Sequence, residues 1–101
     1  MEIKKIAGDS FQTEVTEAGV PVLLDFYADW CGPCQMMGPV VEEIYNEVTD
    51  AKVCKVNIDE EMAIAQKYGV MSIPTFVVIK NGEVTARAMG AKPNNAGLEF
   101  L

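Results

Sequence analysis

The apolar run Val20 to Ala28 is followed, across Cys31-Gly32-Pro33-Cys34, by a stretch in which Met37, Val40, Val41, Ile44, Tyr45 and Val48 recur at spacings of three and four. The run suits a strand and the recurrence suits a helix with one apolar face, so the chain must turn from sheet to helix at the cysteines. Further strand-like runs lie at Glu2 to Ile6, Ala51 to Ile58, Thr75 to Lys80 and Glu83 to Met89. Helical patterns fall between them. Asp9 or Ser10 can cap a short helix carrying Phe11 and Val15, stopped by Gly19 and Pro21, and another helix spans Glu60 to Tyr68 and ends at Gly69. Pro39 should kink the long helix. Asn81-Gly82 between two apolar runs predicts a tight hairpin, and Pro93 and Asn94 lead into a short terminal helix. This order predicts an α/β sandwich in which early strands pair in parallel through helical crossovers and an antiparallel hairpin closes one side, with helices on both faces.

Composition narrows the chemistry. The chain has 101 residues, is 50% hydrophobic and shows no internal repeat or linker, so a single domain over residues 1–101 is expected. Its longest apolar runs are too short to span a membrane, and its first residues lack a secretory pattern, which makes the cytoplasm the expected compartment. Fifteen acidic against eight basic residues give a net charge of -7, which repels nucleic acid and anionic lipid. The chain has no histidine, which removes the commonest general base, the Ser-His and Cys-His nucleophile pairs and the commonest metal ligand.

The cysteines carry the strongest signal. With Cys31 at a helix N-terminus and Cys34 in the first turn, the i, i+3 spacing brings the two side chains within disulfide reach. Unpaired N-H groups and the helix dipole favour a thiolate there, so Cys31 reads as a nucleophile. Cys34, one turn deeper, reads as the thiol that attacks a mixed disulfide formed at Cys31. Gly32 permits close approach of a partner backbone, and Pro33 stiffens the loop at a position where its missing N-H is not needed. The same spacing also occurs in zinc sites. A structural zinc site takes four Cys or His ligands, however, and three cysteines without histidine do not supply them, so no metal is expected. Asp25, an acid inside an apolar run, is expected to have its pKa raised by desolvation if buried; the alternative is that it faces water at a strand edge.

The stretch VLLDFYADWCGPCQMMGPVVEEI, followed by KVNID, YGVMSIPTFVVIKNGEV and MGA, resembles the thioredoxin family in order and spacing over nearly the whole chain. The resemblance implies the thioredoxin fold, a three-layer α/β/α sandwich around a mixed five-stranded sheet. It further implies a monomeric protein-disulfide reductase with no bound cofactor, acting on disulfide-containing proteins and itself reduced by a thioredoxin reductase. By the same resemblance, Cys31 and Cys34 form the redox disulfide, Asp25 is the buried acid that moves a proton to or from Cys34, and Lys55 lies near that acid. Pro74 matches a cis-proline, and Ile73 before it pairs its backbone with an extended substrate segment. Trp30, Gly32, Pro33, Ile73, Pro74, Met89 and Gly90 would then form a flat apolar docking surface. Bland alternatives stand beside these roles: a solvated strand lysine for Lys55, ordinary sheet packing for Met89.

Three positions depart from the family pattern: Gln35 where Lys or Arg is frequent, Tyr27 where Trp is common, and Met71 where the loop is often basic. These bear on partner choice. Cys54 reads as a small core residue, Glu42, Glu43, Glu47, Glu60 and Glu61 as solvated helix faces, and Met36 and Met37 as packing. The tail from Ala91 to Leu98 departs most. Two other functions remain open on the residues alone: a binding or scaffold subunit with idle thiols, and a disulfide oxidase or isomerase, against which the Gly-Pro pair argues.

Overall fold

The computed structural model describes residues 3–90. Five strands form one mixed sheet: β1 (Lys4–Lys5), β2 (Val22–Tyr27), β3 (Lys52–Asn57), β4 (Thr75–Lys80) and β5 (Glu83–Met89). Their spatial order is β1-β3-β2-β4-β5, with β1 and β2 parallel to β3, and β4 antiparallel to both β2 and β5. Helix α1 (Gly32–Glu47) connects β2 to β3, and helix α2 (Met62–Lys67) follows β3. The central strand β2 is hydrogen-bonded on both edges, and the chemistry begins where it ends.

Strand alternation sorts the core onto two faces. Val22, Leu24 and Phe26 of β2 join Cys54, Val56, Val77 and Ile79 on one face, where Phe11, Val15, Ile64 and Ala65 cover them. Leu23 joins Val53, Phe76 and Val78 on the other, beneath Met37, Val41 and Ile44 of α1. Asp25 and Tyr27 share Leu23's side of the strand, and Lys55 and Asn57 share Val53's, because side chains two residues apart point the same way. The buried stripe of α1 holds three of the six predicted positions, and Val40, Tyr45 and Val48 flank it, partly buried. Pro39 is exposed, and the helix runs on through it.

Both hairpin strands have the predicted bounds. Asn81 at φ 52° and Gly82 at φ 81° are both left-handed, as a two-residue turn with the twist of its flanking strands requires. The end of α2 is also as expected. Gly69 takes φ 64°, its N-H donates to the Gln66 carbonyl at 3.1 Å, and the Val70 N-H donates to Ala65 at 2.9 Å, satisfying carbonyls that the last turn would leave open.

Elsewhere the boundaries move. The predicted Asp9/Ser10-capped helix is instead a 3₁₀ turn (Gly8–Ser10) followed by a wider π-helical turn (Gln12–Thr16). Ser10 Oγ folds back to donate to the Ala7 carbonyl at 3.1 Å and accept from its N-H at 3.3 Å, so it closes a tight turn instead of capping forward. Helix α2 starts at Met62 and not Glu60, because the Asn57 side chain takes the Asp59 and Glu60 N-H groups into a turn of its own. Met36, expected to pack, is exposed: it lies one residue, about 100°, round the helix from buried Met37. Strand β1 is only two residues long, and Ile6 extends its pairing by one hydrogen bond to Lys55. The predicted terminal helix and the atypical tail lie outside the described residues.

Candidate active site

Strand β2 ends at Tyr27, and the Cys31 N-H turns back to the Ala28 carbonyl at 3.2 Å before α1 begins. Cys31 is the residue preceding the helix, extended at φ -88° and ψ 107°, with Gly32 and Pro33 in the first two helical positions. Pro33 therefore lacks an N-H where the helix has no carbonyl to receive one. Cys31 Sγ accepts the N-H of Cys34 at 3.2 Å, so the sulfur itself caps the helix. A disulfide joins the two residues, whose Cα atoms are 5.3 Å apart.

The relative depth of the two cysteines differs from expectation. Cys31 is only 4% exposed, whereas Cys34 is partly exposed. Cys31 is covered from the loop before β4, with its Sγ 3.9 Å from the Ile73 carbonyl oxygen. Cys34 opens onto a pocket of about 200 Å³ under the start of α1, which it lines with Asp25, Tyr27, Ala28, Asp29, Gln35, Gly38 and Lys55. Helical spacing predicts which cysteine lies further along the helix, but not that a pocket opens beneath it.

Asp25 and Lys55 are register partners on adjacent strands, and both line this pocket. Burial pushes the Asp25 carboxyl up to about 7, and the Lys55 ammonium offsets part of that rise. The strand-edge alternative for Asp25 fails because β2 is central. Lys55 Nζ sits 5.4 Å from the centroid of the Tyr27 ring, so Lys55 is not simply solvated. Burial also pushes the Tyr27 phenol up, with the charge of Lys5 and a hydrogen bond involving Asn57 acting against it.

Among the expected docking residues, Trp30 is 69% exposed and Met89 58% exposed, and Gly32, Pro33 and Gly90 are exposed too. Ordinary packing therefore does not describe Met89, whose Sδ lies 4.0 Å from Ser72 Oγ. The Ile73-Pro74 peptide is cis. Ile73 is partly buried, its side chain packed against the face that includes Phe26. Pro74 itself is fully buried, so its ring cannot belong to a docking surface. Its carbonyl accepts the Gly90 N-H at 2.9 Å, and Thr75 Oγ1 donates to the Ser72 carbonyl at 2.6 Å, so Pro74 anchors the loop from below.

Asp59 was not singled out from the sequence, yet its Oδ2 accepts the Trp30 Nε1-H at 2.8 Å. Its own N-H donates at 2.9 Å to Oδ1 of Asn57, a residue only 2% exposed. The available signal was an asparagine at the end of a strand, a residue type that forms such turns. Cys54 is fully buried, and burial pushes its thiol up. No group of three or more Cys, Asp or Glu side chains among the described residues could hold a metal ion. No helix there is long and apolar enough to cross a membrane.

The thioredoxin family's sequence profile matches residues 2–101. The chain belongs to the thioredoxin family. It is 50% identical over 102 aligned positions to thioredoxin from Bacillus subtilis, an alignment covering all of this chain and 96% of that one. It is 41% identical to thioredoxin from Rickettsia prowazekii, covering 98% of this chain and 95% of the relative. Among solved structures, a thioredoxin variant from Halobacterium salinarum superposes with a TM-score of 0.81 at 44% identity, over 90% of this chain and 80% of that one. Mitochondrial thioredoxin 3 from Saccharomyces cerevisiae superposes with a TM-score of 0.83 at 33% identity, over 90% and 86%. The expected fold is thus the fold of this thioredoxin-family chain. Family membership and the disulfide-forming Cys31–Cys34 pair make it a protein dithiol-disulfide oxidoreductase. Thioredoxins as a family act on protein disulfides and are served by thioredoxin reductase.

Proposed function

We propose that this chain works in the reducing direction, with Cys31 as the attacking sulfur and Cys34 as the resolving one. The observation that carries the reading is the Cys34 N-H pointed at Cys31 Sγ from the first turn of α1, a contact that strengthens when that sulfur is anionic. Cys31 thiolate attacks one sulfur of a substrate disulfide, the substrate S–S bond breaks, and the departing thiolate takes a proton from solvent. Cys34 then gives its proton to the Asp25 carboxylate across the shared pocket and attacks Cys31 Sγ. The second substrate thiolate leaves, and two electrons have passed from the Cys31–Cys34 dithiol to the substrate.

Asp25, titrating near 7, can both accept and return a proton at neutral pH. Lys55 keeps that value from rising further. Trp30, Gly32, Pro33, Met89, Gly90 and the Ile73 backbone receive the partner as an added extended segment, and buried Pro74 fixes the loop that presents Ile73. We assign the chain to one domain, monomeric and cytoplasmic, with no bound cofactor and with a thioredoxin reductase as electron donor.

The test is the equilibrium reduction potential of Cys31–Cys34 in a graded dithiothreitol buffer, followed through Trp30, the only tryptophan. A value below about -250 mV supports a reductant; one near about -180 mV makes the protein an oxidase or isomerase; no titrating couple leaves a binding subunit.

A further inference from the structure

We propose that Trp30 and Asp59 form a subsite for a lysine or arginine side chain of the protein whose disulfide is reduced, an inference that rests on the docking reading above. Trp30 leaves 69% of its surface in water, and an indole face in water attracts cations through its ring quadrupole. The indole N-H is committed to Asp59 Oδ2 at 2.8 Å, which puts a carboxylate at the edge of the ring and leaves the ring face open. The Asn57 turn holds Asp59 from behind, so both groups are ordered before a partner arrives.

The carboxylate is not neutralised from within. Among the described residues no lysine or arginine forms an ion pair with Asp59, or with Asp29 beside Trp30, whereas Glu60 is held by Lys5 at 2.6 Å. A guanidinium stacks on an indole and donates to a carboxylate in the same pose, and an ammonium makes the same two contacts less directionally.

The other side of Cys31 has a different character. The Ile73 carbonyl faces the Cys31 sulfur, Ser72 touches Met89, and Met71 is 96% exposed, so what this side offers among these residues is thioethers. The subsite therefore gives direction as well as attraction: a cation seats at Trp30 and apolar side chains seat at Met71 and Met89. The net charge of -7 reinforces the preference at long range.

The test uses disulfide-bridged peptides that differ only in one residue within two positions of the attacked cysteine: arginine, alanine or glutamate. Their kcat/KM for reduction by the reduced protein is measured in low and in high salt. Arginine should exceed alanine by about 3- to 10-fold in low salt, glutamate should fall below alanine, and the contrast should shrink in high salt. Asp59→Asn keeps an acceptor for the Trp30 N-H but removes the charge, and should lower the arginine-to-alanine ratio. An arginine-to-alanine ratio near one in the wild type, or an unchanged ratio in Asp59→Asn, overturns the subsite. The wild-type salt series decides even if that variant does not fold. In either overturning result the alanine peptide is still reduced, so the reductase reading survives. Reduction of no peptide, together with a Cys31–Cys34 couple that does not titrate, overturns both.

Discussion

The two faces of β2 differ by a single step along the strand. Leu24 and Phe26 point into a largely apolar face, with Thr75 as the buried polar partner of Phe26 on β4, and both are fully buried. Asp25 and Tyr27 point the other way, toward a pocket that also takes in Lys55 and Cys34. Burying a Leu or Phe side chain stabilises a fold by roughly 1.5–3 kcal/mol, whereas burying a carboxylate disfavours its charged form and raises its pKa. One strand therefore packs Leu24 and Phe26 into a core on one side and, on the other, sets a destabilised acid next to Leu23 of the second core. The alternation of the strand turns Asp25 away from its immediate neighbours Leu24 and Phe26, so a packed core and a reactive group lie one residue apart along the chain.

This division is open to experiment. Cys34→Ser, on the reactive side, should lower turnover at least about a thousandfold and accumulate a mixed disulfide at Cys31, visible by mass spectrometry, with little change in folding. Phe26→Ala, on the packed side, should cost about 3–5 kcal/mol in urea unfolding and leave the Cys31–Cys34 potential nearly untouched. A large shift in potential there would mean that the two faces are not independent.

Asp25→Asn probes the boundary between the two. The folded value of about 7 lies above the ordinary 3.8, so the native state holds a proton that the unfolded chain gives up between those values. Asp25 therefore weakens the fold progressively as pH rises from about 4 to 7, and fully above that. In the oxidised protein, Asp25→Asn should be roughly 2–4 kcal/mol more stable than wild type at pH 8 and nearly equal to it at pH 4, while slowing the resolving step at neutral pH. Equal stability at both pH values would show Asp25 to be well solvated. The smallest effect is expected from Lys55→Met. Removing the ammonium should move the pH profile of the resolving step upward, by less than the roughly one pH unit that an exposed ion pair supplies.

Features set by local chemistry were legible in the sequence. Asn81-Gly82 gave the hairpin and the bounds of β4 and β5, because both turn residues must be left-handed. The cysteines at the strand-to-helix junction, the face of α1 and the raised pKa of Asp25 all followed from spacing and desolvation. Features set by depth were not. Periodicity says which way a residue points, not what lies above it, so the cover of Ile73 over Cys31 and the burial of Pro74 were missed. Asp59 was missed for a related reason. Its partner Trp30 is 29 residues away, and the pair forms only because β2 and β3 run side by side in parallel. The first helix was lost to a local competitor, the Ser10 hydroxyl bonded back to Ala7.

The third cysteine, Cys54, is fully enclosed between β1 and β2, with its thiol pushed up by that burial. Alkylating reagents attack only an accessible thiolate, so in the folded chain Cys54 is silent. It can react only when the sheet opens, which makes its labelling rate a clock for the breathing of the molecule, read from one sulfur atom. With Cys31 and Cys34 closed as a disulfide, no other thiol competes for the reagent. The oxidised protein thus carries its own gauge of how often the core is exposed.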